Sequence, residues 1–401
     1  MKKFNVSLIT AILLALVLAF AAFAEVEVED ESYYEQFRGK GITLNVYNWG
    51  EYISDGSEDT LDIIEEFENI SGIDVNYTMF DTNEDMYAKL AHGTSQYDII
   101  IPSDYMIARL IDEDMLEKLN YDNIPNIKFI DDKYRYTDFD PNAEYSVPYT
   151  WGMVGLVYNT KYVTEEQASS WDVLWDESLK GKVLMFGNSR DAFGVALKRL
   201  GYSLNTEDLD EIRKAADSLS EQKLINQAYA MDQTFDKMAN ENAYAAPYYA
   251  GDCLTMMKRN DALAFSYPKE GVNQFIDAIC IPKGTTQKDA AEAFINFLCE
   301  TEVAVANCEF IEYFTPQTEA AKLIEVDERI IPSEEVLENS ETFIMLGDQA
   351  NELQENLWLE IRSGSGLEAW MWALIFIIIL ALIIFIILFV VRKRNKKNLD
   401  Y

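Results

Sequence analysis

The sequence predicts an α/β protein built as two lobes, because strand-like and helix-like segments alternate along most of its length. One series of alternating segments runs from residue 42 to residue 116, and a second begins at residue 145. Alternation of this kind is typical of parallel sheets with helices packed on their faces. A length of 401 residues also allows two to three domains.

Hydrophobic spacing defines the first series. Leu61, Ile64, Phe67 and Ile70 recur at three-residue intervals and predict a helix that ends at Gly72. The run "YDIIIPS" is continuously apolar, as in a strand buried on both faces. The series comprises strands 42–48, 73–80 and 97–103 and helices 58–72, 83–93 and 104–116.

The second series has the same character, with one open point at its end. The last helical pattern, 288–310, fits either one helix or two, and residues 241–251 enter a further element. Ligands of open α/β sheets bind beyond the carboxyl ends of the strands, so we expect a cleft between the lobes. The other predicted elements are strands 145–159, 182–188, 264–271 and 277–284 and helices 189–201 and 207–222.

The N-terminus has the pattern of a secretory signal peptide. Lys2 and Lys3 precede an apolar run, and Ala22-Phe23-Ala24 forms a small-x-small cleavage site, so residues 1–24 are predicted to be removed. The next segment, 25–41, is acidic, and we expect it to be a flexible lead-in.

The C-terminus has the pattern of a membrane anchor. Residues 369–391 carry no charge and are long enough to span a bilayer. The basic run "RKRNKK" follows, so the tail 392–401 is predicted to be cytoplasmic and the binding domain extracellular.

Composition argues against two kinds of site. A net charge of -36 argues against nucleic-acid binding, and most of the acidity is explained by solubility. The only histidine is His92, which makes a zinc site unlikely, and we expect no cofactor. The four cysteines have no CxxC spacing and fit either disulfides or free thiols: Cys253, Cys280, Cys299 and Cys308.

Large aromatic and polar side chains follow two predicted strands of the first series. Trp49, Glu51 and Tyr52 follow strand 42–48, and Ser103 and Tyr105 lie at the end of strand 97–103. Any single aromatic here can be ordinary packing. In the second series, however, carboxylates also lie near aromatic rings: Asp191, Asp252 and Asp277 lie near Phe193, Tyr249 and Phe275.

Aromatic rings combined with carboxylates suit an organic cation. The rings attract an ammonium group by about 0.5–2 kcal/mol each. A buried ammonium also needs a carboxylate partner, so a guest with two ammonium groups needs at least two carboxylates. The sequence therefore predicts a binding site for a small dication.

Several stretches resemble the spermidine/putrescine-binding proteins of polyamine ABC transporters. They are "YNWGEYI", "YAKLAHGTSQYDIIIPSDY", "YSVPYTWG", "SRDAFGVALKRLGYSLNT", "YPKEG" and "YFTPQ", spread in order from residue 42 to about residue 364. The resemblance implies a two-lobed type II periplasmic-binding-protein fold. Lobe 1 comprises 42–152 and 277–321, and lobe 2 comprises 153–276 and 322–364.

The resemblance also implies which residues bind the ligand. The matching motif positions are Trp49, Glu51, Tyr52, Ser103, Tyr105, Asp191, Tyr249, Asp252, Phe275, Asp277 and Tyr313.

Departures from the family pattern bear on selectivity. Gly50 replaces a Ser or Thr, and Asp191 replaces a Glu. Asn188 replaces an Asp of the spermidine-preferring pattern, and Asp252 agrees with the putrescine-preferring pattern. These changes predict putrescine in preference to spermidine.

The resemblance implies the substrate-binding component of a polyamine ABC importer, which delivers its ligand to permease subunits. The protein is not expected to be an enzyme, because the sequence contains no GxSxG, HExxH or P-loop motif. Three alternatives remain: a membrane-anchored sensor for polyamines or another small cation, a hydrolase that uses paired carboxylates, and a binder of another ligand on the same fold.

Overall fold

The computed structural model describes residues 26–57, 60–93, 96–363, 374–381 and 383. The strands within these residues are β1 Thr43–Trp49, β2 Asp74–Phe80, β3 Ile99–Ile100, β4 Ser146–Asn159, β5 Val183–Phe186, β6 Asn226–Ala230, β7 Ala245–Tyr249, β8 Leu263–Ser266, β9 Asn273–Cys280 and β10 Glu341–Thr342.

The α-helices of the same residues lie mostly between these strands. They are α1 Glu31–Glu35, α2 Ile63–Ser71, α3 Asn83–Ala91, α4 Asp104–Asp112, α5 Asp132–Arg135, α6 Glu165–Ala168, α7 Ser189–Arg199, α8 Leu209–Gln222, α9 Gln233–Ala239, α10 Ala250–Arg259, α11 Lys288–Leu298, α12 Thr301–Ile311, α13 Glu334–Asn339 and α14 Asp348–Ser363.

Strand β4 joins the two halves of the sheet. In the described part of the chain the strand order is β2-β1-β3-β9-β4-β7-β5-β6, with β10 beside β9 and β8 beside β4. Residues 146–153 of β4 pair antiparallel with β9, and residues 154–159 pair with β7 and β8. Strands β1, β2 and β3 pair in parallel, as do β5, β6 and β7, as the alternating sequence predicts.

The buried apolar side chains separate into two regions, which we call lobe 1 and lobe 2. Lobe 1 has a core on each face of its sheet, with Val46 on one side and Tyr47 on the other, because successive strand residues point to opposite faces. Lobe 2 has one core that includes Val157 and Leu184. The regions meet at Gly152, where a Cβ atom would lie 2.7 Å from Cζ of Phe275, so only glycine lets the ring lie this close.

Helix α2 begins later than its periodicity predicts, and the reason is local. Asp62 accepts a hydrogen bond from the backbone N–H of Glu65 at 2.9 Å and so caps the helix, while an isolated bridge pairs Asp55 with Asp62. The helix ends as predicted, because Gly72 adopts a left-handed conformation with φ +69°.

Other boundaries differ more. Strand β3 contains only Ile99–Ile100, although the apolar run is longer, and β9 begins four residues before the predicted strand 277–284. The pattern 288–310 forms two helices, α11 and α12. Eight elements of the described chain were not predicted: strands β6 and β10 and helices α1, α5, α6, α9, α13 and α14.

The acidic lead-in is packed where we expected flexibility. Helix α1 lies within it, and Tyr34 is fully buried. The hydroxyl of Tyr34 donates to Oε1 of Glu300 at 2.7 Å and accepts from Nδ2 of Asn296 at 2.7 Å. The aromatic side chain therefore docks the segment on lobe 1 despite the acidic residues around it.

The predicted terminal segments are mostly outside the described residues. The signal peptide 1–24 and the tail 392–401 lie outside them. Of the predicted anchor 369–391, residues 374–381 and 383 are described, and they are helical and exposed. Among the described residues, no helix has the length and apolar character needed to cross a membrane.

Candidate functional site

A narrow cavity lies between the lobes, beyond the ends of β1, β3 and β7. Its volume is about 60 Å³. Such a cavity suits a slender guest. Its aromatic lining residues are Trp49, Tyr52, Phe80, Tyr105, Tyr248, Tyr249, Phe275, Tyr313 and Phe343.

The charged lining of this cavity has a single sign. Among the described residues it contains six aspartates and no lysine or arginine. No ion pair between described residues involves any of these carboxylates. The six are Asp81, Asp104, Asp191, Asp232, Asp252 and Asp277.

Asp277 lies on β9, in the part of the cavity formed by lobe 1, and only 5% of its surface is exposed. The hydroxyl of Tyr52 donates to Oδ2 of Asp277 at 2.6 Å, and the same hydroxyl contacts Thr150. Oδ1 of Asp277 is buried and has no hydrogen-bond partner in the described part of the chain. Burial raises the pKa of Asp277 to about 6, although Tyr52 and Ser103 act in the opposite direction. This carboxylate therefore has an unused acceptor where a cationic donor can bind.

Asp191 lies in the first turn of α7, on the lobe 2 side of the cavity. Nδ2 of Asn188 donates to its Oδ2 at 2.8 Å, and the hydroxyl of Tyr249 donates to the same oxygen at 2.7 Å. Asn188 also caps α7 by accepting from the backbone N–H of Asp191 at 2.8 Å. Burial raises the pKa of Asp191, and both neutral donors partly offset it.

Asp252 lies in the first turn of α10. The hydroxyl of Tyr313 donates to its Oδ2 at 3.0 Å. Burial raises the pKa of Asp252 well above its usual range, and the negative charges of Asp232, Glu51 and Asp277 add to the effect. The ionised form of Asp252 thus lacks a compensating positive charge.

The rings around these carboxylates contact one another and connect the lobes. Phe275 lies 5.4 Å from Tyr249 and 6.0 Å from Tyr313, measured between ring centroids. Tyr313 in turn lies 5.1 Å from Tyr52, and Trp49 lies 4.4 Å from Phe80. Such a ring-lined cavity can hold a methylene chain and attract ammonium groups through the ring faces.

Comparison with known proteins identifies the family. The profile of the bacterial extracellular solute-binding protein family matches residues 62–331. The spermidine/putrescine-binding periplasmic protein of Escherichia coli (strain K12) is 31% identical over 327 residues, which cover 80% of this chain and 92% of that one.

This chain belongs to the bacterial extracellular solute-binding protein family.

Solved structures of relatives agree with this assignment. A Listeria monocytogenes protein is 34% identical with a TM-score of 0.75, over 80% of this chain and 98% of that one. The spermidine/putrescine ABC transporter substrate-binding protein of Streptococcus pneumoniae is 33% identical with a TM-score of 0.66, over 80% of this chain and 99% of that one. The predicted family and the α/β periplasmic-binding-protein fold are therefore confirmed.

The structure brings most of the predicted site residues of this solute-binding protein together. Glu51 is the exception, because it lies in a turn after β1 with φ +51°, is exposed and does not line the cavity. Ten of the eleven predicted residues line the cavity: Trp49, Tyr52, Ser103, Tyr105, Asp191, Tyr249, Asp252, Phe275, Asp277 and Tyr313.

Other lining residues of this cavity between the lobes were missed. Asp104 is fully buried and accepts from the backbone N–H groups of Tyr105 at 2.7 Å and Ile276 at 3.2 Å, so it ties α4 to β9. Its position directly after Ser103 was a usable signal. Asp232 and Phe343 follow β6 and β10, two strands without a clear sequence pattern, so nothing local indicated them.

The cysteines and the potential metal ligands of the described residues bear on two further expectations. All four cysteines are free and buried. No group of three or more His, Cys, Asp or Glu side chains in the described ranges is arranged to hold a metal ion.

Proposed function

We propose that this protein captures a polyamine between its lobes as the substrate-binding component of a polyamine ABC importer. One observation carries the proposal: six aspartates line an aromatic cavity in which the described residues place no lysine or arginine. Arg190 acts on Asp104 and Asp191, but no described cation acts on Asp232, Asp252 or Asp277. Buried carboxylates without a positive partner are costly, so the occupied state needs a cation. The names of the Escherichia coli and Streptococcus pneumoniae relatives support a polyamine as that cation.

The ligand contacts that we propose are the ten predicted residues that line the cavity. Asp277 pairs with one ammonium group, since its Oδ1 has no other hydrogen-bond partner in the described chain. Asp252 pairs with a second ammonium group, and the rings enclose the methylene chain. Glu51, which is exposed, acts on the site through its charge.

We propose that putrescine is preferred to spermidine. Nδ2 of Asn188 donates to Asp191, so the side chain at position 188 supplies no charge for a middle amine. The carboxylates that remain suit a guest with a charge at each end. The narrow interior also favours the shorter chain.

We propose that the lobes divide at the predicted boundaries and close over the guest. Lobe 1 comprises 42–152 and 277–321, and lobe 2 comprises 153–276 and 322–364. The separation of the buried cores near Met153 supports this division.

We also propose that residues 369–391 anchor the protein in the membrane, with the basic tail in the cytoplasm. The uncharged run and the exposed apolar helix at 374–381 support an anchor. An anchored binding domain remains near its permease subunits, which raises its effective concentration there.

Isothermal titration calorimetry on the extracellular domain tests the ligand. Putrescine, spermidine, choline, thiamine and maltose are titrated in turn, and we expect the two polyamines to bind and putrescine to bind more tightly. Binding of maltose or thiamine alone would contradict a polyamine function. Binding of spermidine in preference to putrescine would contradict only the selectivity.

A further inference from the structure

We propose that Asp232 is a specificity-determining residue of this site, which lobe 2 brings over Gly50 of lobe 1 to contact the second ammonium group of a diamine. The inference rests on the proposed function and adds a residue that the sequence did not indicate. It also assigns a role to the glycine at position 50.

The geometry of Asp232 depends on the absence of a side chain at Gly50. A Cβ atom built on Gly50 would lie 2.6 Å from Oδ2 of Asp232, 3.5 Å from its Cγ and 3.9 Å from its Oδ1. Real Cβ atoms do not approach an oxygen that closely, so any other residue would displace the carboxylate. Both residues line the cavity.

Asp232 belongs to lobe 2, and Gly50 belongs to lobe 1. Asp232 precedes α9, and Met231, Phe235 and Met238 around it are buried in the core of lobe 2. Gly50 directly follows β1, beside Trp49, which packs on the core of lobe 1. The two residues can therefore meet only when the lobes are close together.

The charges around Asp232 explain why its approach to Gly50 needs a cationic guest. Asp81 and Glu51 of lobe 1 and Asp252 of lobe 2 act on it electrostatically, and all of them are acidic. No ion pair between described residues includes Asp232. Closure without a guest brings like charges together, whereas an ammonium group offers three donors to neighbouring carboxylates.

The consequence for selectivity is that the guest must be charged at both ends. A monoamine can satisfy Asp277, but it leaves the carboxylates near Gly50 without a counter-charge. A diamine of suitable length satisfies both groups of carboxylates and so stabilises the closed state. The discrimination between diamines and monoamines should therefore depend on Asp232.

A double-mutant cycle tests the contact, with putrescine as the probe in calorimetry. Gly50→Ala should weaken putrescine binding by about tenfold in the native background but by less than about twofold in the Asp232→Ala background. Gly50 does not have a positive φ, so alanine is compatible with its backbone. Equal effects of Gly50→Ala in the two backgrounds would overturn the contact.

Charge removal tests the specificity. Asp232→Asn should weaken putrescine binding by about tenfold and leave butylamine, measured by competition, within about twofold. Asp217→Asn removes the same charge from an exposed position of α8 and should change neither. Equal losses for both amines, or no loss for putrescine, would overturn the inference. If the native protein bound no amine, the proposed function itself would fail, so the two failures can be told apart.

Discussion

Two cavities lie between the lobes, and they balance their charges in different ways. The ligand cavity described above has no basic lining residue among the described positions, whereas its neighbour contains Arg109 and Arg190 together with Glu84 and Glu355. We call this neighbour the Arg190 cavity. Tyr105 lines both cavities.

The Arg190 cavity carries part of its own counter-charge, because two arginines accompany five acidic side chains among its described lining residues. Nη2 of Arg190 donates to the carbonyl oxygen of Ile344 at 3.1 Å, and its guanidinium lies 4.4 Å from the ring centroid of Phe343. Burial raises the pKa of Glu84 to about 7 and the nearby Glu355 adds to this rise, while Arg190 acts in the opposite direction.

The contrast indicates what each cavity does. The protein supplies cations in the Arg190 cavity, so that cavity can connect the lobes without a guest. In the ligand cavity Arg190 acts on Asp104 and Asp191, but the positive charge for Asp232, Asp252 and Asp277 has to come from outside. Substitutions that change charge should therefore have opposite effects on the stability of the ligand-free protein in the two places.

The largest effect is expected for Asp277→Asn. The substitution leaves an ammonium group without its carboxylate and should weaken putrescine binding by about 3–5 kcal/mol. Calorimetry measures the loss, with circular dichroism to confirm folding. A change of less than about threefold in affinity would mean that Asp277 is not a ligand contact.

Removing a charge from the Arg190 cavity should change the stability of the ligand-free protein. Arg190→Met leaves Glu84 and Asp104 without the opposing charge and should lower the free energy of unfolding by about 3 kcal/mol. Urea denaturation measures the change. Arg213→Met is the matched control, because Arg213 is an exposed arginine of lobe 2 paired with Asp210, and it should cost about 0.5 kcal/mol or less. Similar costs for both variants would remove the contrast between the cavities.

The preference between putrescine and spermidine should depend on which positions of the cavity carry carboxylates. Asn188→Asp combined with Asp252→Ser supplies a charge beside Asp191 for a middle amine and removes one for a terminal amine. We expect the ratio of putrescine to spermidine affinity to fall by about tenfold, which corresponds to about 1.4 kcal/mol. An unchanged ratio in competition titrations would show that the length of the cavity selects the ligand.

Acidification should weaken binding. Asp277 has a pKa of about 6 in the ligand-free protein, and a bound ammonium group lowers it, so below pH 6 the guest must displace a proton. Affinity should fall by up to about tenfold per pH unit below pH 6, since one proton is released. The pKa values of Asp191 and Asp252 are also raised, so these residues act with the same sign.

Protonation of Asp277 weakens putrescine binding but should stabilise the ligand-free protein. A folded-state pKa above the unfolded value means that protonation stabilises the folded protein, so this contribution grows as the pH falls from 7 to 5. As the pH falls, thermal melts without putrescine should show a rising Tm. The increase in Tm that putrescine causes should become smaller over the same range. A putrescine effect that grows toward pH 5 would contradict this account.

The smallest effect is expected for Asp252→Asn. The amide replaces a buried carboxylate that lacks a positive partner and can still accept from Tyr313, so the ligand-free protein should gain about 1 kcal/mol of stability. Urea denaturation without ligand measures it. A loss of stability would show that Asp252 is balanced by a charge outside its present contacts.

Periodicity and composition were enough to predict the α/β class, the order of most elements and a cation as the guest. Leu61, Ile64, Phe67 and Ile70 predict α2, and Gly72 ends it, because helical spacing and a left-handed cap are local properties. Ten of the eleven residues that the family resemblance implied line the cavity between the lobes.

Long-range packing decided the rest. Asp232 meets Gly50 across a separation of 182 residues, and no local pattern predicts which carboxylate of lobe 2 will reach lobe 1. Glu51 lies outside the cavity, in a turn where its φ is +51°. Whether an aspartate is matched by an arginine or left for a guest depends on which surfaces face each other after folding, and spacing along the chain does not contain that information.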